Sequence, residues 1–165
     1  MIRRTPLIAL LMLLAAPAAA EDGAWTYRAE PEPVELSYVA PGALGPALVL
    51  TCVKDSRQLV ARFPVEQRLG VRNMEGRWVD DVGRPAPWPV SVTLASGDAQ
   101  TTIPGMADVA PQGGGSVVSV EFADRAPVAE AFRQTGVISL AALGGVVTAP
   151  PAPRRSAQGF LRYCR

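Results

Sequence analysis

The chain has 165 residues, with sixteen Lys or Arg against fifteen Asp or Glu, no histidine and only two cysteines. That length suits one core-forming domain. The near-neutral balance leaves no basic stripe to follow a phosphate backbone, so nucleic acid is excluded as the expected partner. The absence of histidine removes Ser-His-Asp and Cys-His catalysis and the commonest transition-metal ligand.

The first twenty residues, MIRRTPLIALLMLLAAPAAA, have the three parts of a secretory signal. Arg3 and Arg4 form a basic start, residues 7–16 are apolar, and Ala18-Ala19-Ala20 supply the small residues that signal peptidase needs. Cleavage is expected after Ala20, leaving residues 21–165 as a single β-rich domain. The apolar run falls short of the ~20 residues of a membrane span. No cysteine stands at the cleavage position to carry a lipid anchor. The expected location is the periplasm or the exterior, reached by the ordinary secretory route.

Residues 24–28 are short and alternating, and the proline-spaced Glu30-Pro31-Glu32-Pro33 reads as a turn. Strands are expected at 34–39 and 47–53, separated by the breaker-rich 41–46. Residues 58–63 alternate again and should pair with 47–53 through Lys54-Asp55-Ser56-Arg57. Weaker strand patterns occupy 68–73 and 76–79. Residues 89–94 and 99–103 flank Ser96-Gly97-Asp98, a hairpin turn. Gln112 to Gly115 reads as a loop tip, followed by a strand at 116–122.

Asp124 has the chemistry of a helix N-cap with Pro127 in the first turn. Val128, Ala131, Phe132 and Thr135 share one helical face, and Gly136 is placed to end that helix. A strand at 137–140 follows, and 149–153 reads as an extended proline-rich spacer. The close carries Ala157, Phe160, Leu161 and Cys164 at the i, i+3, i+4, i+7 spacing of an apolar helical stripe. The expected fold is a mainly antiparallel β sandwich or barrel with two short helices.

An exported chain folds in an oxidising compartment, so two cysteines predict one disulfide, Cys52–Cys164. Leu48, Leu50 and Cys52 share one strand face, and Cys164 lies on a helical apolar stripe, so both point at a core. The bond would pin the C-terminal helix to the sheet.

No Walker A or dinucleotide-binding pattern is present, and Gly113 to Gly115 lacks the lysine and following helix of a phosphate cradle. No cofactor and no metal are expected. Asp80-Asp81 is the obvious carboxylate pair, but neighbours on a strand face opposite ways and Val82-Gly83-Arg84-Pro85 reads as a turn. The stretch from Arg77 to Trp88 is the candidate binding surface, offering Trp78, Asp80, Asp81, Arg84 and Trp88 in twelve residues. Tryptophan and arginine are enriched where proteins meet partners. If the two tryptophans flank a hairpin turn, they would form an aromatic patch; the alternative is that one or both are ordinary core residues.

An early tryptophan after a signal, a strand cysteine in "ALVLTC", a helix–strand unit in "APVAEAFRQTGVISL" and the closing "SAQGFLRYC" together resemble small α-proteobacterial periplasmic proteins with one disulfide. The arrangement is also similar to the invasion-associated locus B family and to periplasmic accessory proteins of type VI secretion. The further cysteines that follow the first tryptophan in the invasion-associated family are missing here. The resemblance implies a non-enzymatic β-rich envelope protein. The function expected is binding or accessory, with an envelope protein or glycan as partner. The alternatives are a small carboxylate-dependent glycan hydrolase and a secreted enzyme inhibitor.

Overall fold

The computed structural model describes residues 23–111 and 114–165, so the expected signal segment lies outside the described residues, as does part of the 112–115 loop tip. Among the described residues eleven strands form in chain order. They are β1 (Ala24–Arg28), β2 (Val34–Val39), β3 (Leu48–Cys52), β4 (Gln58–Val65), β5 (Arg72–Met74), β6 (Arg77–Val79), β7 (Trp88–Ser96), β8 (Ala99–Val109), β9 (Ser116–Ala123), β10 (Ile138–Ala142) and β11 (Gly145–Ala149). Helices α1 (Pro127–Thr135) and α2 (Arg154–Tyr163) complete the described elements.

Nine strands make one antiparallel sheet in the order β1-β2-β3-β4-β9-β8-β7-β10-β11, while β5 and β6 form a separate two-stranded hairpin. The period-2 patterns explain which face is inside. Leu48, Leu50 and Cys52 on β3, Leu59, Ala61, Phe63 and Val65 on β4, and Ile138, Leu140 and Ala142 on β10 are all buried. They belong to one continuous core that also takes in Phe132 from α1 and Phe160 and Leu161 from α2. The pairing expected between residues 47–53 and 58–63 is present, with Leu50 opposite Ala61. The 96–98 turn closes β7 onto β8 as expected, with Ser96 opposite Ala99.

The sheet curls because β8 serves two partners over different lengths. It pairs with β7 from Ala99 to Ala107 but with β9 only from Met106 to Val109. At Gly105, where the strands part, a Cβ would stand 2.6 Å from Val92 Cγ2 and 2.7 Å from the Ser119 carbonyl, so only glycine fits. The expected strand end at residue 103 is therefore overrun: Pro104 and Gly105 bend the strand without ending it. The two edges of the sheet then approach one another, and the Trp25 indole N–H donates to the Pro150 carbonyl beyond β11 at 2.8 Å. Helix α1 packs on β7 and β8, α2 packs on β1 and β2, and the two helices touch.

Two further local expectations are corrected. Asp124 does not cap α1; Ala126 occupies the N-cap position and no side chain caps the helix. The reason is spacing. Strand β9 runs to Ala123, Ala126 N–H closes a turn onto the Ala123 carbonyl at 3.0 Å, and Asp124 is left two residues short of the helix. Its backbone N–H instead donates to the Arg57 carbonyl at 3.0 Å. The second correction is β11, which lies just ahead of the proline-rich segment where no strand was expected. Its Gly-Val-Val-Thr-Ala sequence becomes a strand by pairing with β10, Leu140 opposite Val147. Gly136 ends α1 as expected, in the left-handed conformation at φ 72°, with its N–H on the Phe132 carbonyl.

The disulfide Cys52–Cys164 is formed, bridging β3 to the residue that closes α2 across a sequence separation of 112. Both cysteines are buried.

A candidate cleft beside the β5–β6 hairpin

Between β4 and β7 the chain leaves the main sheet and makes an excursion built around the β5–β6 hairpin. Asp80 organises its base. The residue is only 6% exposed, yet both carboxylate oxygens have partners. Oδ1 accepts the N–H groups of Val82 (3.1 Å) and Arg84 (2.7 Å), and Oδ2 accepts Arg84 Nε–H at 2.8 Å. Its own N–H donates to the Arg84 carbonyl at 2.9 Å. Gly83 takes the positive φ of 86° that the turn requires. An aspartate closing a turn on nearby backbone N–H groups is a local, sequence-encoded arrangement.

Burial pushes the Asp80 carboxyl up, but the Arg84 backbone N–H, the Arg84 guanidinium and the Val82 N–H together hold it below its ordinary value of 3.8. A depressed folded-state pKa means stability that is fully present above the ordinary value and lost as pH falls through the folded one. Asp80→Asn should therefore be less stable than the parent at pH 7, with the gap closing below about pH 3.8. Urea midpoints for both proteins at pH 7 and pH 3 check this; a gap of equal size at both pH values contradicts it.

The two tryptophans do not form a shared outward patch. Trp88 is 4% exposed, its ring lies against Gly70, and its indole N–H donates to the Arg84 carbonyl at 2.9 Å. Trp78 is half-buried on β6, with the Arg68 guanidinium 4.6 Å over its ring. A Cβ on Gly70 would meet Trp88 at 3.0 Å and Trp78 at 3.2 Å, so Gly70 separates the two residues. Trp88 anchors the excursion to the interior, and Trp78 is covered by an arginine rather than offered to solvent.

What the excursion does present is a cleft of 360 Å³. Its walls include Leu69, Val71 and Val90, Trp88 and Leu143 add apolar surface, and Arg68, Asp80, Asp81 and Arg84 line it with charge. Of the five candidate residues, Asp80, Asp81, Arg84 and Trp88 line this cleft, and Trp78 touches it through Arg68. Asp81 is exposed while Asp80 is buried; both follow the end of β6 at Val79, so the turn and not strand alternation sets their facing. Arg68 Nε–H donates to the Gly70 carbonyl at 2.8 Å, which fixes that guanidinium over the ring. Arg68, Leu69 and Leu143 escaped the sequence reading. The pairing of Arg68 with Trp78 spans ten residues and depends on the chain doubling back, and Leu143 comes from the β10–β11 turn, far along the chain.

Among the described residues, no three His, Cys, Asp or Glu side chains gather where they could hold a metal ion. None of the described helices is long and apolar enough to cross a membrane. No family model, curated protein or solved structure matches the chain.

Proposed function

We propose that this chain is an exported binding or accessory protein of the cell envelope, working in the periplasm or beyond it, and that the cleft beside the β5–β6 hairpin is its ligand face. The observation that carries the reading is the state of Asp80. Glycoside hydrolysis by two carboxylates needs one to move a proton and the other to attack or activate water. Asp80 is committed at both oxygens to holding a turn, so the cleft supplies binding groups and not a working acid–base pair. Beside that fixed base, Val71, Met74 and Val82 stand exposed on the outside of the excursion, Val82 by 69%. Exposed apolar side chains among arginines, on a rigid support, suit contact with another protein.

Photocrosslinking in living cells tests this. A crosslinking residue placed at Val71 or Val82 should capture one discrete envelope protein, and the same residue at Glu121, on the outside of the sheet, should not. Capture should fall tenfold or more when Arg84→Ala is added. Equal capture from all three positions, or capture from Glu121 alone, would remove the cleft from the function.

A further inference from the structure

The structure assigns a second binding site, for a phosphate- or sulfate-like oxyanion, to the cavity between α1 and α2. Its basis is a charge asymmetry that the whole-chain balance hides. From Asp124 to Arg165 the chain carries Arg125, Arg133, Arg154, Arg155, Arg162 and Arg165 against only Asp124 and Glu130, whereas residues 23–123 carry eight basic and eleven acidic residues. Folding concentrates this further. A cavity of 180 Å³ is lined by Arg133 from α1 and by Gln158, Arg162 and Arg165 from α2 and the residue beyond it. All four lining side chains are hydrogen-bond donors; no acid and no apolar residue lines it.

The two acids nearby position the arginines. Glu130 accepts Arg133 Nε–H at 3.1 Å and Arg133 Nη2–H in a forked pair, and lies 3.6 Å from Arg165 Nη2. Asp124, 2% exposed, stands 3.4 Å from Arg165 Nε, and its Oδ2 has no hydrogen bond among the described residues. These pairs leave part of each fork free. Arg162 forms no ion pair among the described residues. Arginines in a last helical turn commonly complement the negative end of the helix dipole, which accounts for Arg162 by itself. The same holds for Arg133 in the last turn of α1, but neither dipole accounts for arginines from two helices converging on one cavity. Against Glu130 and Asp124, three guanidinium groups leave one positive charge uncompensated, and their planar forks match the oxygens of a tetrahedral oxyanion. A tetrahedral oxyanion turns oxygens in three dimensions toward donors that arrive from two helices, whereas the acceptor sites of a carboxylate lie in one plane.

The site lies apart from the β5–β6 cleft and does not depend on the function proposed for it. Its oxyanion could be free or carried on a lipid headgroup, and the test separates the two. The exported domain, labelled with ¹⁵N, is titrated with sodium phosphate at constant ionic strength held by chloride, and the arginine Nε–H resonances are followed. In parallel, it is sedimented with phosphatidylglycerol vesicles and with phosphatidylcholine vesicles. Saturable shifts of the Arg133, Arg162 and Arg165 signals, weakened at least tenfold by Arg162→Gln, identify a free oxyanion site. Absence of those shifts, together with binding to phosphatidylglycerol vesicles alone that Arg162→Gln reduces tenfold or more, identifies a headgroup site. The proposal is overturned if neither probe binds, or if binding is unchanged in a folded Arg162→Gln protein. A second variant, Gln158→Leu, should weaken the same binding while leaving the net charge as it was, which separates a shaped site from general attraction.

Discussion

Replacing both cysteines with alanine should lower the free energy of unfolding by about 4–5 kcal/mol, the largest loss available from one covalent change in this chain. The estimate comes from loop closure: the bond links residues 112 apart and so removes many conformations from the unfolded chain. A domain of this size has a net stability of about 5–15 kcal/mol, so the variant should unfold at a much lower urea concentration and lie close to its limit at 37 °C. Alanine is the right replacement because both positions are buried and a serine hydroxyl there would add an unrelated cost. Helix α2 and its closing cysteine keep other ties, to the β1–β2 and β3–β4 connections. Tyr163 Oη–H donates to Glu32 at 2.7 Å, and Arg57 N–H donates to the Cys164 carbonyl at 2.9 Å. The variant should therefore still fold at low temperature. Urea unfolding followed by tryptophan fluorescence checks the expectation, and an unchanged midpoint contradicts it. Reductant should shift the parent protein in the same direction and leave the double variant unmoved.

Phe160→Ala should cost about 3–5 kcal/mol, because it removes a fully buried aromatic ring and leaves a space that rigid neighbours on both sides cannot close. Phe160 is the inward anchor of α2. Its carbonyl accepts the Cys164 N–H at 3.3 Å, so the same helical turn carries both the ring and the disulfide. The two effects should for that reason not add. In a chain already lacking the disulfide, a helix that is partly loosened has less packing left to lose, and the combined loss should fall short of the sum. Arg155→Ala, at an exposed position on the same helix, provides the comparison and should change stability by less than about 0.5 kcal/mol. Equal losses from Phe160→Ala and Arg155→Ala would mean that α2 is not docked through its apolar stripe.

Most of the secondary structure was legible in the sequence because it depends on contacts between residues close along the chain. The alternation in 47–53 and 58–63 identified both strands and their inward faces, and the turn residues between them made their pairing the nearest available. The i, i+3, i+4, i+7 stripe from Ala157 to Cys164 identified α2 and the face on which its cysteine lies. With only two cysteines, both inward, the disulfide had a single pairing to adopt.

The tertiary structure decided what depends on distant partners. Strand β11 has no strong pattern of its own and exists because β10 provides a ladder. Strand β8 passes through Pro104 and Gly105 because β7 continues to pair with it on one side. Asp124 has the chemistry of a cap, but the length of β9 places it too early, and it faces Arg165 from the other end of the domain instead. Trp78 and Trp88 look alike in sequence, separated by a turn. The packing of Gly70 sends one inside and leaves the other beneath Arg68. The α1–α2 cavity is the clearest case. An overall charge near zero is a property of composition, whereas three arginines in one cavity result from two helices crossing, and periodicity within either helix does not encode that crossing.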